Sequence, residues 1–130
     1  MRDVVWGSRF RVHHRLADVY RSGRVLLAGD AAHVHSPAGG QGMNIGILDA
    51  LTLADALAKA LAGETAALDA YGTERRPVAQ QVVAFTDFLT RLATVRPAFR
   101  ALRNLLLSTL ARVPAFRSRL AWRIFGLVYR

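Results

Sequence analysis

The chain has no cysteine, a single lysine, and no acidic residue anywhere in 91–130. The missing cysteine excludes a disulfide framework and a thiolate metal site, and is compatible with any compartment. No apolar run approaches the roughly 18 residues of a membrane span. The opening Met1-Arg2-Asp3-Val4 lacks the apolar core of a secretory leader. A soluble, cytoplasmic protein without a membrane span is therefore expected. What is present is enough for a core: 130 residues, 52% hydrophobic and 21% charged, which excludes disorder by composition.

The formal net charge of +9 suggests a nucleic-acid binder, but its distribution argues otherwise. Residues 1–90 carry nine basic and nine acidic side chains, and the whole excess is the nine arginines of 91–130. Arginine outnumbers lysine 17 to 1, a bias that follows from a GC-rich genome more readily than from selection for phosphate contacts. A solvated or partner-packed helical face is the expected role of that segment, with no nucleic acid.

Ser8 to Arg15 alternates Phe10, Val12 and His14 against Arg9, Arg11 and His13, the period of a half-buried strand. Asp18 to Gly23 is a polar turn. Arg24 to Gly29 (RVLLAG) is a short continuous apolar run, the type of a strand covered on both faces. Asp30 to Gly42 reads as an ordered loop, and Met43 to Ala62 as a helix apolar nearly all round, hence buried. Gly63 is a plausible stop. Thr65 to Thr94 reads as a helix bent or broken around Pro77, and 98–113 and 115–129 as two more helices parted at Pro114. A mainly helical chain with two or three strands is expected. Two strands do not make a stable sheet, so the rest of the sheet is expected on polypeptide outside this chain.

The segment with chemistry in it is Gly23-Arg24-Val25-Leu26-Leu27-Ala28-Gly29-Asp30-Ala31-Ala32-His33, followed by Ser36-Pro37-Ala38-Gly39-Gly40-Gln41-Gly42-Met43-Asn44. A buried strand ends at a glycine and an aspartate, the place where open α/β sheets bind ligands. The aspartate can accept hydrogen bonds from sugar-like hydroxyls. Gly39, Gly40 and Gly42 let the backbone approach a flat ligand, and the following helix start suits an anionic oxygen. It is neither a phosphate loop nor a GxGxxG fingerprint, since Ile45 stands at the last glycine. A tight strand-to-helix turn without a ligand is the plain alternative.

RVLLAGDAAHVHSPAGGQGMNIGILDALTLADALA closely resembles the second flavin fingerprint of class A flavin-dependent monooxygenases, the para-hydroxybenzoate hydroxylase-like family. Tyr71-Gly72-Thr73-Glu74-Arg75-Arg76-Pro77-Val78-Ala79 resembles the family's Y-x-x-ERRPVA stretch, and Phe125-Gly126-Leu127-Val128-Tyr129 faintly resembles its GL-x-x-Y ending. The resemblance implies the C-terminal part of an α/β, Rossmann-like FAD-binding fold. Residues 1–62 would supply the last strands, the flavin-contacting loop and a buried helix, and 63–130 the C-terminal helical region. It implies Asp30 on a ribityl hydroxyl of FAD, Pro37 beside the isoalloxazine, and Gly39 to Asn44 along the pyrimidine edge, with amides near Met43 and Asn44 at the flavin O2. The cofactor-binding residues are thus Gly29, Asp30, Pro37, Gly39, Gly40, Gly42, Met43 and Asn44, with no catalytic residue on this chain. The implied reaction is hydroxylation of an aromatic or polyketide-type substrate with NAD(P)H and O2. The departures are Thr52 for an Asn, and Asp55-Ala56 for Trp-Lys. The GxGxxG unit, the DG motif and most of the substrate domain are absent from these residues, so a missing N-terminal FAD and substrate region is the expected partner. The alternatives are a non-catalytic basic helical binding module that keeps a relic loop, and a subunit completing an FAD site with a separate chain.

Lesser candidates read more plainly. Asp30, His33 and His35 could suggest a metal, but no further ligand cluster accompanies them, and satisfied loop histidines are expected. His13 and His14 read as surface residues. Glu74, Arg75 and Arg76 read as an exposed helical ion-pair region. Trp122, Phe125 and Tyr129 form a helical stripe for core or interface packing. Ser36 and His35 are sequence neighbours, which does not make a nucleophile and its base.

Overall fold

A computed structural model describes residues 7–8, 11–126 and 128. Four two-residue strands come first: β1 (Arg15–Leu16), β2 (Arg21–Ser22), β3 (Val25–Leu26) and β4 (His33–Val34). They form two antiparallel pairs, β1 with β4 (Arg15 opposite Val34, Leu16 opposite His33) and β2 with β3 (Arg21 opposite Leu26, Ser22 opposite Val25). Gly23, at φ +58°, opens the two-residue turn between β2 and β3, where a tight hairpin asks for a positive φ. Four helices follow: α1 (Gly42–Leu61), α2 (Ala67–Ala93), α3 (Arg100–Leu110) and α4 (Pro114–Ile124). The protein is thus mainly helical with small two-stranded sheets.

Several elements differ from the sequence reading. Of the strand expected over 8–15, only Arg15 lies in a strand; Arg11 to His14 are irregular, and Arg9 and Phe10 lie outside the described residues. A period-two pattern marks a strand only where a neighbour supplies the ladder, and β4 reaches back no further than Arg15. The RVLLAG run holds strand geometry only at Val25 and Leu26, with Val25 exposed. The expected loop over 30–42 contains β4 and a 3-10 turn over Gly29–Ala31. α2 runs through Pro77 without a break, although Pro77 has no N–H for the Thr73 carbonyl.

α1 ends in a Schellman arrangement. Gly63 takes φ +106°, its N–H donates to the Ala60 carbonyl at 3.1 Å, and the Glu64 N–H donates to the Lys59 carbonyl at 3.0 Å. Two apolar clusters hold the fold. In one, Tyr20, Ala32, Ala56, Tyr71 and Ala79 are joined by Leu16, Leu26, Leu27 and Leu53, and the other unites Ile45 and Val82 with Val78. The Tyr20 and Tyr71 rings sit 6.0 Å apart, and the Tyr71 hydroxyl donates to the Leu27 carbonyl at 2.8 Å, fastening α2 to the end of β3. Within these residues α1 is covered on one face only. Ile45, Asp49 and Ala56 are buried, while Met43, Ile47, Leu51, Leu57 and Leu61 are exposed.

Candidate flavin site

The loop from β3 to α1 builds an open cleft of about 550 Å³ lined by Asp30, Pro37, Gly40, Gly42 and Met43, together with Val34, His35, Ser36 and Gly46. Local chemistry shapes it. Gly29, Gly39 and Gly40 take φ of +56°, +90° and +63°, which other residues rarely adopt. The buried Ser36 hydroxyl accepts the Ala38 N–H at 3.2 Å, and the Gly40 N–H donates to the Pro37 carbonyl at 3.0 Å. Asp30 is exposed at the mouth. No side chain caps α1, and its first internal bond runs from Ile45 N–H to the Gln41 carbonyl at 3.1 Å. The amides of Gly42, Met43 and Asn44 are therefore the unbonded donors every helix start leaves.

Three of the expected site residues stand apart from this cleft. Asn44 faces a neighbouring hollow with Gln41, Ile47 and Phe125. A Cβ on Gly39 would touch Leu89 Cδ1 at 3.4 Å, so that glycine packs on α2. Gly29 packs on Gly46, a Cβ on Gly29 lying 3.9 Å from the Gly46 Cα.

Beneath the loop lies a buried charge cluster that the sequence reading missed. Asp49 is 0% exposed. Its Oδ2 accepts from His33 Nε2 at 2.7 Å and from the Gly29 N–H at 3.3 Å, and its Oδ1 accepts from Arg75 Nε at 2.9 Å. Burial alone would raise the Asp49 carboxyl, but the hydrogen bonds and attraction of His33 and Arg75 hold it below the ordinary carboxylate value. An ionised carboxylate only accepts, so His33 carries its proton on Nε2. Arg75 is thus no member of an exposed ion-pair region: it is 5% exposed and turned inward, while Glu74 beside it is exposed and Arg76 donates to the Ala17 carbonyl at 3.0 Å. The signal was available, because Asp49, four residues after Ile45 and seven before Ala56, shares their buried helix face, and a carboxylate taken out of water must find partners.

His35 behaves differently. Its Nδ1 bonds the Ser36 carbonyl at 2.8 Å, which requires a proton on Nδ1; in the neutral ring Nε2 is then the acceptor. That Nε2 is buried, without a partner among the described residues, and 3.6 Å from where a Cβ on Gly42 would sit. An orphaned acceptor, three free amides and a glycine cradle fit a flat ligand with donors and an anionic edge, which describes a flavin. The back of the loop is tied to the far end of the chain: buried Gln41 donates through Nε2 to the Ile124 carbonyl. A Cβ on Gly126 would meet Gln41 Oε1 at 2.6 Å. Among the described residues no group of three or more His, Asp or Glu could hold a metal, and no helix is long and apolar enough to cross a membrane. The stripe expected for packing is exposed at Trp122 and Phe125, and Tyr129 lies outside the described residues.

A glycine-rich loop over an uncapped helix, with an exposed aspartate at its mouth, forms a cleft with the features of a nucleotide-cofactor site. The family profile described as FAD binding domain matches residues 1–86, and the chain belongs to that family, among the class A FAD-dependent aromatic monooxygenases. It is 44% identical over 132 aligned positions to the 12-dehydrotetracycline 5-monooxygenase/anhydrotetracycline 6-monooxygenase of Streptomyces rimosus, covering 100% of this chain and 26% of that protein. It is 39% identical to the pentachlorophenol 4-monooxygenase of Sphingobium chlorophenolicum, covering 95% of this chain and 23% of that protein. Among solved structures, an aromatic hydroxylase from angucycline biosynthesis superposes with a TM-score of 0.85 at 41% identity, over 97% of this chain and 26% of that one. The chain therefore spans about a quarter of the length of the relatives it matches.

Proposed function

We propose that this chain is the ring- and ribityl-contacting part of a flavin-dependent monooxygenase acting on an aromatic or polyketide-type small molecule, with NAD(P)H as reductant. The observation that carries the reading is the meeting of Asp30, Pro37, Gly40, Gly42 and Met43 in one cleft at the uncapped start of α1. Asp30 would accept a hydrogen bond from a ribityl hydroxyl. The free amides at Gly42 and Met43 would face the anionic edge of the ring, with the positive end of α1 behind them. Gly40 and Gly42 keep side-chain carbon away from the ring, and Pro37 offers an apolar wall without a competing N–H. A bound flavin would supply the redox chemistry, taking electrons from NAD(P)H and reacting with O2, and these residues would supply orientation and electrostatics. The substrate class is supported by the relatives, whose names specify tetracycline intermediates and pentachlorophenol.

The ADP half of FAD would be held by polypeptide outside these residues. The 130-residue chain alone should then bind FAD weakly or not at all, and regain it when joined to a segment with a GxGxxG unit. Titration of FAD fluorescence tests both arms. Stoichiometric flavin on the chain alone, with a micromolar or tighter dissociation constant, would contradict the half-site reading. No flavin on the joined protein would contradict the function.

A further inference from the structure

The cleft and the charge cluster beneath it are linked at one atom. Asp49 Oδ2 holds the N–H of Gly29, the residue immediately before Asp30. Gly29 sits at φ +56° and rests on Gly46, one helical turn before Asp49 on the same side of α1. A Cβ on either glycine would touch the other's Cα at ordinary contact distance, 3.9 Å from Gly29 and 3.6 Å from Gly46, so the loop and helix backbones pass closely enough for the carboxylate to reach the Gly29 N–H. His33, on β4, and Arg75, on α2, close the cluster from the other two sides.

We propose that Asp49 is the positioning residue of the flavin site: clamped by His33 and Arg75, it fixes the Gly29 backbone and thereby aims Asp30 into the cleft. The functional half of this inference rests on the reading of Asp30 as a flavin contact. The division of labour follows from exposure. Asp30 is free to meet a ligand, whereas Asp49, with no exposed surface, meets only protein. Arg75 balances the carboxylate charge, and His33 directs one N–H at the same oxygen that holds Gly29. A carboxylate serves here better than an amide, because it accepts from all three donors and presents none of its own.

Two measurements decide this. In the 130-residue chain without flavin, the Gly29 amide should exchange with deuterium at least about tenfold more slowly than the amide of exposed Gly23. Equal rates would overturn the clamp whether or not the protein binds flavin. In the flavin-loaded full-length protein, His33→Leu, Asp49→Leu and Arg75→Met are introduced together, so that no buried charge is left unpaired. Replacing a whole buried ionic cluster by apolar residues usually preserves stability. The thermal midpoint should stay within about 5 °C of the parent, while the FAD dissociation constant rises about tenfold or more, the scale of one charged hydrogen bond. Parental affinity in this variant would show that the cluster only stabilises the fold, and would overturn the proposal. If the triple variant does not fold, the amide comparison decides alone. Absence of flavin binding in the parent would sink the functional reading and leave the Gly29 result standing.

Discussion

The glycine-rich loop with its supporting helices and the pair α3–α4 are two differently made halves of one chain. The first half places a carboxylate, an imidazole and a guanidinium out of water and satisfies the carboxylate from three sides. The second half has no buried residue on either helix, exposes Leu102, Leu105, Leu106 and Trp122, and carries nine arginines over 91–130 with no acid. Between α2, α3 and α4 lies an apolar groove of about 960 Å³ rimmed by Arg103, Arg119 and Arg123. Burial and charge pairing thus go together in the first half, and among the described residues neither is found on α3 or α4. A substitution should act through desolvation in the first half and should scarcely register in the second.

The largest effect is expected from Asp49→Ala. It strands the Arg75 guanidinium without its partner, a change that costs about 3–5 kcal/mol in buried pairs, read by chemical denaturation of the 130-residue chain. A loss below about 1 kcal/mol would erase the contrast between the halves. Acid should mimic the substitution. The folded Asp49 carboxyl lies below its ordinary value of 3.8, so its contribution is complete above that pH and disappears as the pH falls through the lower folded value. Stability followed from pH 6 downward should therefore drop more steeply in the parent than in Asp49→Asn.

Next in size is Asp30→Ala in the flavin-loaded protein. Losing a hydrogen bond to a charged acceptor should weaken FAD by roughly 1.5–3 kcal/mol, about 10- to 150-fold. Measured without flavin, its thermal midpoint should be unchanged, since Asp30 is exposed. His33→Ala should show the opposite balance, more stability lost than Asp30→Ala. Equal midpoints for the two variants would mean that the buried histidine contributes nothing to the fold.

Glycine positions sharpen the comparison further. Gly63→Val forces a β-branched residue to φ +106° and should cost about 1–2 kcal/mol of stability without touching flavin. Gly42→Val has no such strain, and its Cβ would make only an ordinary 3.6 Å contact with the His35 ring. Its effect should fall on flavin content per folded protein. Normal flavin content in that variant would show that the loop does not approach the ring. The smallest effect is expected in the second half: Leu105→Ser, at a side chain 63% exposed, should change stability by no more than about 0.5 kcal/mol.

What could be read from the sequence was what depends on near neighbours. The apolar spacing from Met43 and the glycine at 63 gave α1 to within a residue at each end, because helix periodicity and a left-handed glycine are local matters. The Gly-rich run was legible as a turn from strand into helix for the same reason. The clamp was not, since His33, Asp49 and Arg75 are separated by 16 and 26 positions and meet only when three elements pack. The Glu74-Arg75-Arg76 run looked like a solvated helix face because its own neighbours satisfy one another's charge on paper. The strand expected from Ser8 failed through the same blindness to partners, as alternation reveals a face but not the strand beside it.

The tie between Gln41 and the Ile124 carbonyl spans 83 positions of chain. Closing a flexible loop of that length costs about 4 kcal/mol in chain entropy, and one neutral hydrogen bond returns only about 1 kcal/mol net. The tie therefore cannot nucleate anything. The end of α4 is held within reach of the loop by the packing of the helices between them, so the contact lasts only as long as that packing does, and loosening α3 or α4 would release the back of the loop.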